Sequence, residues 1–140
     1  MPGAPEVEFD LRGIIQLNYE ADRPGIPHEV QGISVRQKCR RLQFLHGTYR
    51  WNGQDELDGA VVAIYVIHYA EGQREEIPIY SGNDLQRSRG ATVAWEQEGS
   101  KQLFTKSWKN PHPEIEIQTM DFISKMTQCA PFLVAITAEP

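Results

Sequence analysis

The chain has 140 residues, a formal charge of −5 from 14 Lys and Arg against 19 Asp and Glu, and a hydrophobic fraction of 40%. That length buries a core without disulfide staples, so one domain over 1–140 is expected, with an ordered core at about 9–138. The acidic balance excludes general nucleic-acid binding, which needs clustered cations to displace counterions, and the longest apolar run, 60–67, is too short to cross a bilayer.

In chain order, residues 1–6 carry neither a basic nor an apolar leader, so no secretory signal is expected. The chain reads as soluble, with an extracellular place inside a larger protein left open. Residues 13–19 alternate as a first strand with Ile15, Leu17 and Tyr19 on one face. A Pro- and Gly-containing loop at 20–28 follows, then strands at 30–35 and 41–46, the second with Leu42, Phe44 and His46 on one side. Residues 47–59 hold Asn52-Gly53 and Asp58-Gly59 and read as a long polar loop bearing Tyr49 and Trp51. Residues 60–70 are apolar on both faces, as in a central strand. Glu71-Gly72 turns the chain into 74–79, where Pro78 predicts that the strand either lies at a sheet edge or ends there.

A polar loop at 80–90 and a hairpin of 91–96 with 103–108 lead to the rigid corner Asn110-Pro111-His112-Pro113. In 115–124 the parity of Ile115 and Ile117 conflicts with that of Met120 and Phe122, which predicts a β-bulge near Gln118-Thr119. The closing strand, 130–137, places Phe132, Val134 and Ile136 on one face and Leu133, Ala135 and Thr137 on the other. Phe44, Val66, Phe132 and Val134 are the expected core. No apolar stripe of helical period lasts three turns, so helix is limited to a turn or two at 80–90 or 124–130. The fold class is all-β, an antiparallel β-sandwich.

The chemistry-bearing residues are few. His46 and His68 both end strand-like runs, and two imidazoles on neighbouring strands would make a transition-metal site, with His112 or a carboxylate as third ligand. No zinc or facial-triad spacing accompanies them, so buried, hydrogen-bonded histidines are the preferred reading. Asp55 and Asp58 beside Gly59 offer oxygens to a structural calcium without the EF-hand array, and surface acids in a turn are preferred. The carboxylate pairs Glu75-Glu76 and Glu114-Glu116 read as solvent faces, and no serine or cysteine has a nucleophile motif. The cluster Arg36, Lys38, Arg40 and Arg41 reads as a solvated edge guard. Cys39 and Cys129 lie in no motif, and their pairing is left open. The aromatic-bearing loop makes Tyr49 and Trp51 the expected ligand contacts, with Asp55, Asn83, Asp84 and Arg87 as polar anchors.

Taken together, Gly32-Ile33-Ser34-Val35, Leu42-Gln43-Phe44-Leu45-His46, the run from Tyr65 through Gly72, Ile77-Pro78-Ile79, Trp108-Lys109-Asn110-Pro111-His112-Pro113 and the run from Pro131 through Thr137 resemble a module of large bacterial multi-domain proteins. That module is sometimes attached to glycoside hydrolases and is similar to galactose-binding-like jelly rolls and carbohydrate-binding modules. The resemblance spans about 11–137. It implies a jelly-roll sandwich acting as a non-catalytic binding or accessory module, with carbohydrate or a host-protein domain as partner. Those modules continue from the Ile-Pro-Ile strand into a pair of tryptophans, whereas here Gln86-Arg87-Ser88-Arg89 follows. The alternatives are a small metal-dependent enzyme using His46 and His68, and a protein-interaction module.

Overall fold

The computed structural model describes residues 14–20, 22–50, 61–80, 92–96, 102–127 and 129–140. These form nine strands and no helix: β1 (Ile15–Gln16), β2 (Glu29–Gln37), β3 (Arg41–Arg50), β4 (Val61–Tyr69), β5 (Arg74–Tyr80), β6 (Thr92–Glu96), β7 (Gln102–Lys109), β8 (Ile117–Ser124) and β9 (Cys129–Glu139). They pair into a five-stranded sheet of order β1-β9-β3-β7-β6 and a four-stranded sheet of order β2-β8-β4-β5, antiparallel throughout. The two sheets close as a β-sandwich over a shared apolar layer.

The middle of that layer is aromatic. Phe44 of β3 stacks on Tyr65 of β4 with centroids 4.2 Å apart and planes 8° apart, and Tyr65 meets its register partner Phe122 at 5.0 Å. All three are fully buried, so offset stacking adds to the burial of ring area that holds the sheets together.

The bulge expected in the penultimate strand is present. His68 pairs with Thr119 while Tyr69 pairs with Ile117, which leaves Gln118 as the extra residue and sends Ile117, Met120 and Phe122 all inward. Pro78 lies in β5, an edge strand, where its missing N–H takes nothing from a ladder. The opposite edge, β2, has two register shifts with Gly32 at φ +73° and Arg36 at φ +50°. Such kinks make the edge a poor template for another strand. Gly72, at φ +97°, allows the tight β4–β5 turn closed by Tyr69 N–H to Gln73 C=O.

Four expectations are corrected. The first strand is only two residues long, because the Asn18 side chain takes the chain out of the ladder. Its Oδ1 accepts from the Tyr19 and Arg23 N–H groups, and its Nδ2 lies 2.9 Å from Arg23 C=O and 3.0 Å from Ile26 C=O. The loop expected at 47–59 begins as strand, since β3 runs on to Arg50 against β9. In β9 a bulge at Val134 changes the parity: Leu45 pairs with Ala135 and His46 with Leu133, so Leu133 and Ile136 face the core while Phe132 is buried on the outer side. Val134 is only half-buried, whereas Phe44, Val66 and Phe132 are buried as expected, Val66 on the outer side of its sheet between the inward Tyr65 and Ile67. Residues 125–127 are not helical, and 81–90 lie outside the described residues.

The two cysteines flank opposite ends of β3. Cys39 precedes Arg41, and Cys129 pairs with Arg50, so roughly 30 Å of strand separates them. A disulfide needs Cα atoms within about 7 Å. Cys39 is free and buried.

Candidate functional site

The sandwich ends differ in chemistry. At the end where β4 turns into β5, Asn110 is buried and ties three segments together. Its Nδ2 donates to Cys39 C=O at 2.7 Å, and its Oδ1 accepts from Tyr69 Oη at 2.5 Å and from the His112 N–H at 2.9 Å. Asn110 N–H completes the set on Arg40 C=O. The prolines on either side of His112 fix the chain direction around this hub. His112 packs edge-on against Tyr69 at 5.1 Å, and its Nε2 lies 3.4 Å from Glu75 Oε2. Burial, with Glu75, Cys39 and Glu114 adding negative charge nearby, pushes the Tyr69 phenol well above its ordinary range. Burial likewise raises the Cys39 thiol, partly offset by its hydrogen bonds to Asn110 and Arg41. Both groups are held neutral, which suits a structural hub and not a nucleophile.

The other end is where β3 finishes at Arg50 and where Val61 of β4 pairs with Tyr80 of β5. These strand ends lead into 51–60 and 81–91. Of the expected ligand contacts, Tyr49 falls in β3 opposite Ala130, while Trp51, Asp55, Asn83, Asp84 and Arg87 lie outside the described residues.

The two candidate metal histidines do not meet. His46 projects from β3 into the core, 1% exposed, with Nδ1 2.7 Å from Tyr65 Oη across the sandwich and its ring stacked on Tyr65. His68 has the parity opposite to Tyr65 and Tyr69 and stands on the outer face of the four-stranded sheet. There its Nε2 donates to Asp121 Oδ2 at 2.7 Å. The second oxygen of Asp121 accepts from the Gly32 N–H at 3.0 Å, a group turned outward by the β2 bulge. One carboxylate therefore links three adjacent strands and fixes the imidazole plane. Among the described residues no group of three His, Cys, Asp or Glu side chains is placed to hold a metal ion.

Asp121 was not singled out by the sequence. The signal was available: once a bulge is placed at Gln118, Asp121 becomes an outward acid between the inward Met120 and Phe122, on the same side as Thr119. The basic residues behave as surface charge. Arg40 Nε donates to Pro140 C=O, and Arg41 lies 3.9 Å from Glu139. Glu76 pairs with Arg74 along β5, and Glu114 and Glu116 are exposed.

No protein-family model, curated protein or solved structure matches the chain. No helix among the described residues is long and apolar enough to cross a membrane.

Proposed function

We propose that the chain is a non-catalytic binding or accessory module, a jelly-roll sandwich of the galactose-binding-like type carried by a larger bacterial protein, with carbohydrate as its ligand class. The observation that carries this reading is the separation of the histidines. An enzyme built on His46 and His68 needs both imidazoles at one reacting centre. His46 instead sits in the aromatic core bonded to Tyr65, and His68 stands on an outer face bonded to Asp121. A hydrogen-bonded sheet lies between them and holds them apart.

The choice of carbohydrate rests on the resemblance and on two aromatics, Tyr49 near the end of β3 and Trp51 in the sequence that follows it, as stacking surfaces, with Asp55, Asn83, Asp84 and Arg87 as hydroxyl partners. A glycan screen combined with metal analysis tests the reading. The purified protein is expected to retain at least one glycan and to carry no stoichiometric zinc, copper or iron. Trp51→Ala is expected to weaken glycan retention by about tenfold or more, the loss of one stacking contact, with its thermal midpoint unchanged. Tight metal uptake abolished by both His46→Ala and His68→Ala would restore the enzyme reading.

A further inference from the structure

The end of the sandwich closed by Asn110 sorts its charge by sign. Two connections cross between the sheets there: 38–40 joins β2 to β3, and 110–116 joins β7 to β8. The first is basic. Arg36, Lys38, Arg40 and Arg41 are exposed, and the exposed Lys109 is the register partner of Arg41, so two cations stand opposite each other in the ladder. Like charges so placed cost stability, and Glu139, 3.9 Å from Arg41, answers one of the two. The second connection is acidic. Glu114 and Glu116 are exposed on it, Glu71 is exposed on the neighbouring β4–β5 turn, and Glu75 follows at the start of β5. Glu75 and Glu114 both add negative charge around Tyr69, partly offset by His112 at 3.4 Å from Glu75.

These charges are not spent within the molecule. Exposed charges elsewhere pair, Arg74 with Glu76 at 2.6 Å and His28 with Asp22 at 2.9 Å. Among the described residues, Arg36, Lys38 and Lys109 have no acidic side chain within ion-pair distance, and Glu71, Glu114 and Glu116 have no basic one. In the chain, the step from Lys109 to Glu114 passes through Pro111 and Pro113, both exposed. The Asn110 side chain holds that turn rigid, accepting from the His112 N–H and donating to Cys39 C=O. The surface is therefore fixed before any partner arrives, which lowers the entropy lost on contact.

We propose that this end binds a second copy of the chain, head to head about a two-fold axis, with the basic half of each copy against the acidic half of the other and the prolines at the centre. A two-fold interface needs a self-complementary patch, and a patch carrying both signs in separate halves is one. A polyanion that meets Arg36, Lys38 and Lys109 also meets Glu71, Glu114 and Glu116, and a polycation meets the converse. The prolines supply an apolar centre and the unpaired charges a polar rim. Five strands at about 4.8 Å by two sheets about 10 Å apart, with the side chains beyond them, give an end of roughly 500 Å² per copy. That is below the ~800 Å² per partner of a standard interface, so the dimer is a weak one that dissociates on dilution and in salt. The strand ends that lead into 51–60 and 81–91 lie at the other end of β3, about 30 Å away, and face outward on both copies. On the binding-module reading this makes the dimer bivalent, although the dimer itself does not depend on that reading.

Sedimentation equilibrium of the wild-type chain at up to about 1 mM protein tests the proposal, in about 0.01 M and about 1 M salt, where charges act over roughly 30 Å and 3 Å. A monomer–dimer equilibrium is expected at low salt, weakened at least about tenfold at high salt. Two doubly substituted chains, Lys38→Glu with Lys109→Glu and Glu71→Lys with Glu114→Lys, change exposed positions and are expected to keep the wild-type unfolding midpoint. Each alone is expected to dimerise at least about tenfold more weakly than wild type, and an equimolar mixture of the two is expected to recover association as a heterodimer. A wild-type chain that stays monomeric at low salt, a dimer equally tight in both salts, or a dimer that both variants retain overturns the proposal. So does a mixture that fails to associate when each variant is folded and monomeric. If a variant unfolds, the salt dependence of the wild-type chain decides the matter.

Discussion

Phe44→Ala is expected to destabilise the sandwich by about 3–5 kcal/mol in urea unfolding, whereas Val134→Ala is expected to cost less than about 1 kcal/mol. Phe44 is fully buried, and its ring covers that of Tyr65 at 4.2 Å, so truncation opens a void at the contact between the sheets. The Tyr65 ring remains held by Phe122 and by its hydrogen bond to His46, which limits collapse into the void. Val134 is the extra residue of the β9 bulge and is half-buried, so its methyl groups fill no core position. Equal costs for the two variants would mean that the bulge is misplaced and that β9 presents its other face.

Asn110→Ala is expected to be about as damaging, at roughly 3 kcal/mol or more. It strands the Tyr69 hydroxyl and the Cys39 carbonyl in a buried setting, and each unpaired group costs about 1–3 kcal/mol. The same hub predicts an alkaline limit to stability. Tyr69 and Cys39 both have folded-state pKa values raised above their ordinary values of 10.0 and 9.0. The unfolded chain therefore loses these protons at lower pH than the native protein does. The stability they contribute is complete below about pH 9 and declines as pH rises beyond it. Urea midpoints recorded across the alkaline range should fall, and Tyr69→Phe should flatten the part of that fall above about pH 10 while lowering the midpoint at neutral pH. A midpoint that holds steady through the alkaline range in wild-type protein would show that the hub is open to water.

The features legible in the sequence are those with local causes. Pro78 marked an edge or a strand end because a missing N–H is tolerated only there, and the clash of parity between Ile117 and Met120 could be relieved only by an extra residue. The bulge at Val134 was hidden because 130–137 is apolar on both sides, so either parity satisfies the pattern, and the choice is made by pairing with β3. The His68–Asp121 contact joins residues 53 apart in the chain and depends on which strands become neighbours. Asn18 looked like one more residue of an alternating strand, and its role appears only when its amide is seen to gather the turn that follows.

The placement of the thiols at opposite ends of a strand makes this fold indifferent to redox state. With no internal crosslink within reach, the sandwich draws its stability from aromatic packing, cross-strand pairing and the Asn110 hub, none of which responds to the thiol–disulfide poise of its surroundings. The same strand pairing and core packing are therefore expected under reducing and oxidising conditions alike.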